Sequence, residues 1–159
     1  MSLVDRLIAR AKRTPYFNLE GYMERYWLLK PNGMKDEGEP KRKLLPDLGI
    51  RIHRILRSDT DRHLHDHPWG SMSIVLCGGY LEVMPLDPNQ DPALDETQTI
   101  AVWRKPGAIV FRKAHSRHRL VLPEGKDCWS MFWTGPYRKG WGFYTAQGFV
   151  PWRKYLGME

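Results

Sequence analysis

The sequence predicts an all-β protein, an antiparallel sandwich or barrel, with one short helix at the N-terminus. Three observations carry this. Short apolar and aromatic runs recur from Tyr22 onward. Turn-forming clusters rich in Gly, Pro, Asn and Asp separate them, as strands joined by tight turns require. Helical spacing of apolar residues is confined to the first turns of the chain.

The helix is read over residues 2–13. Ser2 and Asp5 stand at capping-box spacing, where hydroxyl and carboxylate satisfy free N–H groups reciprocally. Leu3, Val4, Leu7, Ile8 and Ala11 then form one apolar stripe. Arg10, Lys12 and Arg13 suit the negative end of the helix, and Thr14-Pro15 stops it. This favours a helix packed on the core, with membrane-surface binding a weaker alternative.

Tyr22 to Leu29 reads as a strand, and 31–46, with three prolines and two glycines, as an exposed loop. A strand follows from Ile50 to Arg57, then a turn at Ser58-Asp59-Thr60-Asp61. An extended histidine segment, 63–67, comes next. Met72–Cys77 and Tyr80–Met84 are strands joined by a Gly78-Gly79 hairpin turn. After a second proline-rich loop, 85–95, strands are expected at Thr97–Trp103, Ala108–Phe111, Arg119–Leu122 and Cys128–Thr134. The aromatic C-terminal segment 136–159 is expected to pack on this framework. Core, interface or a stacking platform for a planar ligand all remain open for it.

At 159 residues the chain reads as a single domain, 1–159, long enough to bury a core. No apolar run reaches the roughly eighteen residues of a membrane-spanning helix. The N-terminus lacks the apolar stretch and cleavage site of a secretory signal. Cys77 and Cys128 lie in apolar runs and read as buried free thiols of a cytoplasmic protein, with a bond between them left open. A net charge of +7 favours anionic partners, first a small anionic molecule. The basic residues are spread along the chain, so only charge and aromatic content speak for nucleic acid.

Five of the six histidines fall in two clusters, His63-Leu64-His65-Asp66-His67 and His115-Ser116-Arg117-His118, the sixth being His53. Imidazole binds metal at neutral pH without losing a proton. Alternate residues of an extended strand share a face, which puts His63, His65 and His67 together. Imidazoles from one strand and a further one from a distant strand can hold a single metal ion inside a barrel.

These residues resemble the cupin superfamily, the small jelly-roll barrels of double-stranded β-helix architecture. Counted back from Gly79, the His-x-His pair of the first cupin motif falls on His65 and His67. Counted forward from Gly107, the single histidine of the second motif falls on His118. The resemblance covers roughly 45–135, the expected barrel core. The motif's glutamate position falls on Met72 or Ser71. The segments His65-Asp66-His67-Pro68-Trp69, Gly78-Gly79-Tyr80-x-Glu82 and Trp141-Gly142-Phe143 are similar to a group of bacterial and phage cupins. Many cupins are dimers, so the resemblance implies a homodimer.

The candidate ligands are therefore His65, His67 and His118, with His63 or Glu82 as a fourth. Three neutral imidazoles with open positions suit Fe(II), favoured here, or Zn(II), Mn(II), Ni(II) or Cu(II). Asp59, Asp61 and Asp66 are candidate acceptors for the second ring N–H groups. His115 is a candidate general base. Arg117, with Arg112 and Arg119, is either a clamp for a substrate oxyanion or an exposed cation. The functions in competition are a metal-dependent enzyme of dioxygenase type, a ligand-binding or sensor module, and a metal-free sugar epimerase or isomerase.

Overall fold

The computed structural model describes residues 1–16, 18–29, 49–59, 63–90 and 98–158. Its elements in chain order are α1 (Leu3–Ala11), β1 (Met23–Leu29), β2 (Ile50–Ile55), β3 (Ser71–Cys77), β4 (Tyr80–Pro85), β5 (Thr99–Arg104), β6 (Ile109–Arg112), β7 (Arg119–Val121), β8 (Cys128–Thr134), β9 (Gly142–Thr145), β10 (Gly148–Pro151) and α2 (Trp152–Tyr155). A five-stranded sheet runs β1-β2-β8-β3-β6, a three-stranded sheet β5-β4-β7, and a hairpin pairs β9 with β10. Every ladder is antiparallel.

The five-stranded sheet is used on both faces. On the outside, Ile52 and Trp129 bury against Ala11 of α1, with Ile8 and Tyr26 around them. The capping box forms as the spacing requires: Asp5 N–H donates to Ser2 Oγ, and Ser2 N–H donates to the Asp5 carboxylate. On the inside, Ile55, Val75 and Cys128 meet Tyr80, Leu120 and Leu122 from the direction of the three-stranded sheet. Both cysteines are free thiols, and burial pushes that of Cys128 up to about 12.

The hairpin between β3 and β4 needs its glycines. Gly78 has φ +75, and a Cβ there would stand 2.3 Å from the Asp127 carbonyl oxygen. Gly142 is held as closely, since its Cβ would meet the Val150 carbonyl oxygen at 2.2 Å.

Two expectations change. The histidine segment is not a continuous strand: His65 alone bridges to His118 and to Phe143, while Leu64 and Asp66 bond to β9 and His67 to the Ala114 carbonyl. The aromatic C-terminal segment 136–159, expected to pack on the framework but given no elements, folds into β9, β10 and the turn of α2. It docks on the histidine segment through Tyr144 N–H to the Leu64 carbonyl (2.8 Å) and Asp66 N–H to the Gly142 carbonyl (3.2 Å). The loop read over 31–46, residue Asp61, and 91–95 of the second loop lie outside the described residues.

Candidate metal centre

His65, His67 and His118 each present a ring nitrogen, all within 4.8 Å of one another. The local cause is the double bridge at His65, whose N–H and carbonyl pair with His118 at 3.0 and 2.9 Å. This antiparallel exchange sets the His65 and His118 rings side by side, with centroids 5.1 Å apart. Two residues on, His67 turns its ring to the same point. Its Nε2 lies 2.9 Å from His118 Nε2. Two nitrogens bound at about 2.1 Å to one ion stand roughly 3.0–3.4 Å apart, so this pair, at hydrogen-bond distance, needs to part only slightly to reach ligand spacing. The donor set fits a divalent transition metal.

Glu82 reaches the same place from β4, facing inward like Tyr80 two residues before it. It does not join the imidazole group. Its carboxylate, 1% exposed, accepts from His118 Nδ1 at 3.0 Å, Arg112 Nε at 2.6 Å and Arg104 Nε at 2.7 Å. Burial pushes the carboxyl up, but the hydrogen bond from His118 and the charge of Arg112 outweigh it and hold Glu82 well below the usual carboxylate range. Glu82 is thus an anion, so the proton of His118 sits on Nδ1 and the Nε2 lone pair faces His67. Burial, then Arg112, lowers His118 despite Glu82. Burial, then the neighbouring imidazoles, lowers His67 strongly. Both rings are neutral at pH 7, as metal binding requires. Arg112 is itself held by Ser73 Oγ (3.1 Å) and Tyr80 Oη (3.0 Å).

The remaining sequence candidates lie elsewhere. His63 turns from its expected shared face toward α2, its Nδ1 2.8 Å from Tyr155 Oη. His115 stands exposed in the turn after β6, on a separate cleft of about 700 Å3 that Arg117 also lines. Arg117 is buried with its guanidinium on the carbonyls of Pro88 and Gln90 and over the Tyr144 ring. Of the aspartates, Asp59 accepts from Leu120 N–H. Asp66 is fully buried and accepts from Lys139, Tyr144 Oη (2.7 Å) and Gly142 N–H (3.1 Å). It anchors β9 beneath the histidines.

The imidazoles open onto a cavity of about 380 Å3 between the sheets. Trp69 stacks on His67 at 4.8 Å, and Trp141 covers the same ring at 6.1 Å. Apolar lining comes from Leu19, Met23, Ile55, Leu120 and Phe143, and basic lining from Arg25, Arg51, His53 and Arg112. Sequence reasoning missed Arg51 and His53. Their signal was polar residues alternating with isoleucines in β2.

No family model matches the chain, and no curated protein matches it in sequence. Solved structures do. A cupin 2 conserved barrel domain protein from Rhodopseudomonas palustris superposes with a TM-score of 0.52 at 13% identity, over 92% of this chain and 83% of that one. The hydroxypropylphosphonic acid epoxidase from S. wedmorenis gives 0.54 at 15% identity, over 78% and 56%. A structure of Fe(II)-HppE with the substrate (S)-1-HPP gives 0.51 at 14% identity, over 76% and 54%. This chain spans about half the length of those epoxidase structures. The protein has the cupin fold, a jelly-roll barrel with a three-histidine group that could hold a metal ion.

Proposed function

We propose that this cupin-fold protein holds one divalent transition metal on His65, His67 and His118, and is an enzyme of dioxygenase type acting on a small anionic molecule. The observation that carries the reading is the convergence of three imidazole nitrogens on the wall of a cavity lined by several cations. Fe(II) is the favoured ion, supported by an Fe(II) protein among the structures that share the fold. When bound, the metal supplies open coordination positions and Lewis acidity at the cavity wall.

The protein's own groups do the rest. Glu82 keeps the His118 proton on Nδ1 and so points the free lone pair of Nε2 at the site. Arg112 keeps Glu82 ionised. Trp69 and Trp141 fix the His67 ring and exclude water from one side of it.

The test is metal analysis of protein purified without a His-tag, with melts in chelator and in added Fe(II), Zn(II), Mn(II) or Ni(II). Metal at a hundred times its Kd adds about 2.7 kcal/mol, a rise of roughly 5–11 °C. One equivalent of metal, lost in His65→Ala and His118→Ala, is the expected result. No metal and no shift would overturn the reading. The ligand-binding module is the second reading. Arg51, which no carboxylate among the described residues contacts, favours it, and it predicts turnover of nothing and binding indifferent to chelator.

A further inference from the structure

The wall of the cavity contributed by β2 is polar where a barrel interior is ordinarily apolar. Arg51 and His53 alternate with Ile50 and Ile52, and their register pairs them across the sheet with Trp27 and Arg25 on β1 and with Phe132 and Ser130 on β8. Tyr16, Trp27 and Phe132 all lie within 6 Å of the Arg51 guanidinium carbon. A guanidinium packed among rings spends its faces on them and keeps its N–H edge for hydrogen bonds. One Nη donates to Thr134 Oγ1 at 3.2 Å. Its Nε is buried without a partner, and no carboxylate among the described residues contacts it. His53 is 7% exposed, stacks on Phe132 at 4.5 Å, and its Nε2 is likewise buried without a partner. Buried donors of this kind are normally satisfied, so two on one cavity wall point to an absent acceptor.

We infer that Arg51 and His53 form a carboxylate-binding subsite, and that the substrate of the neighbouring imidazole site is a small monocarboxylic acid with an apolar body. The edge of one guanidinium matches the two oxygens of a planar carboxylate, and a neutral imidazole adds a donor without a second charge. The apolar body would lie along Met23, Ile55 and Leu120, and a cavity of 380 Å3 is at the small end of ligand sites. Ring contacts connect the two ends of the cavity, from His53 to Phe132, on to Trp69 and then to His67. The role of substrate rests on the metal-enzyme reading above; the subsite itself does not.

The test therefore runs on the full chain in chelator, by calorimetry, with benzoate, its neutral isostere benzamide, and phenylphosphonate as probes. Benzoate should bind, benzamide at least tenfold more weakly. Arg51→Met, which keeps length and ring contacts, should weaken benzoate by roughly 10–100-fold, the range of one lost charge-assisted pair. Arg51→Lys should fall between, and His53→Phe should weaken it several-fold while His53→Gln retains a donor and most of the affinity. In a separate, chelator-free titration, Zn(II) binding of Arg51→Met should match the unaltered protein, which separates this subsite from the metal ligands. Equal binding of benzoate and benzamide, or unchanged benzoate affinity in a folded Arg51→Met, overturns the subsite. Tighter binding of phenylphosphonate overturns the carboxylate assignment. Failure of the protein to take up metal while benzoate binds removes the enzyme reading and leaves the subsite standing.

Discussion

At the imidazole end of the cavity, the buried carboxylate of Glu82 is met by Arg104, Arg112 and His118, and Arg112 is met in turn by Ser73 and Tyr80. At the other end, Arg51 has the Thr134 hydroxyl and three aromatic rings, and His53 stacks on Phe132 with its Nε2 unpartnered among the described residues. Burial pulls Arg51 down to about 10, so it remains a cation at neutral pH. Both ends bury charge, but the Glu82 network is completed from within, whereas Arg51 Nε and His53 Nε2 are left open. A completed network fixes the orientation and protonation of its members, which a metal site needs before the metal arrives. An open one is complete only when something anionic enters. The contrast separates groups that build the site from groups that read the ligand.

The sharpest way to break this comparison is at Glu82. Glu82→Gln should destabilise by about 3–5 kcal/mol, because Arg112 stays buried without its counter-charge. In a domain of this size that is a fall in Tm of roughly 6–20 °C. An accompanying Arg112→Met should recover much of the loss in the same melting experiment, since removing both charges is far cheaper than removing one. His118→Ala should abolish the metal-linked gain of about 2.7 kcal/mol at hundredfold excess metal, read as superimposable melts with and without chelator. Asp66→Asn should cost about 1–3 kcal/mol, the range for hydrogen bonds to a buried charge. It should also loosen β9, visible as faster hydrogen exchange at the Gly142 and Tyr144 amides.

A smaller effect concerns pH. Burial, then the charges of Arg51 and Arg25, hold His53 well below its ordinary 6.5, so it is neutral when folded. Below about pH 6.5 the unfolded chain binds a proton here that the folded chain does not. The contribution is therefore fully present above that pH and is lost as pH falls, by up to about 1.4 kcal/mol per pH unit for one proton. His53→Gln should flatten the acid limb of stability against pH by that one proton, with His67 and His118 still contributing in metal-free protein. The least effect is expected of Arg51→Met. Removing a buried cation that no carboxylate offsets should leave stability within about 1 kcal/mol of the parent or raise it slightly. A loss as large as that of Glu82→Gln would show that the two ends do not differ as described.

Much of this molecule was legible in the order of its residues. The helix and its cap follow from Ser2, Asp5 and the apolar stripe. Cys128–Thr134 and Met23–Leu29 announce themselves through aromatic content between turn residues. His65 and His67 were accessible from alternation within one segment, and His118 from the cupin resemblance, whose second motif counts forward from Gly107 to it. Other features were not legible. The stretch from Trp141 to Tyr155 holds so many aromatics that periodicity does not resolve its strands, and its pairing partner is a distant segment. His63 shares the alternation of its neighbours, yet the backbone pairs regularly only at His65, and Tyr155 arrives from the far end of the chain to take the ring.

Local chemistry was enough to set which segments extend, where they turn and which imidazoles alternate, because sterics, turn propensity and the period of two act over a few residues. It was not enough to say which side of β2 faces inward. Alternation puts Ile50, Ile52 and Arg54 on one face and Arg51, His53 and Ile55 on the other, and hydrophobic patterning alone would turn the face with two isoleucines to the barrel. Packing of α1 on Ile52 decided otherwise, because burying Ile8 and Ala11 required an apolar outer face on the same sheet. That choice sent Arg51 and His53 into the cavity. In the same way the inward face of Glu82 was open to inference, but its three partners come from β5, β6 and the residue before β7, and only their convergence in space made it the anion that orients His118.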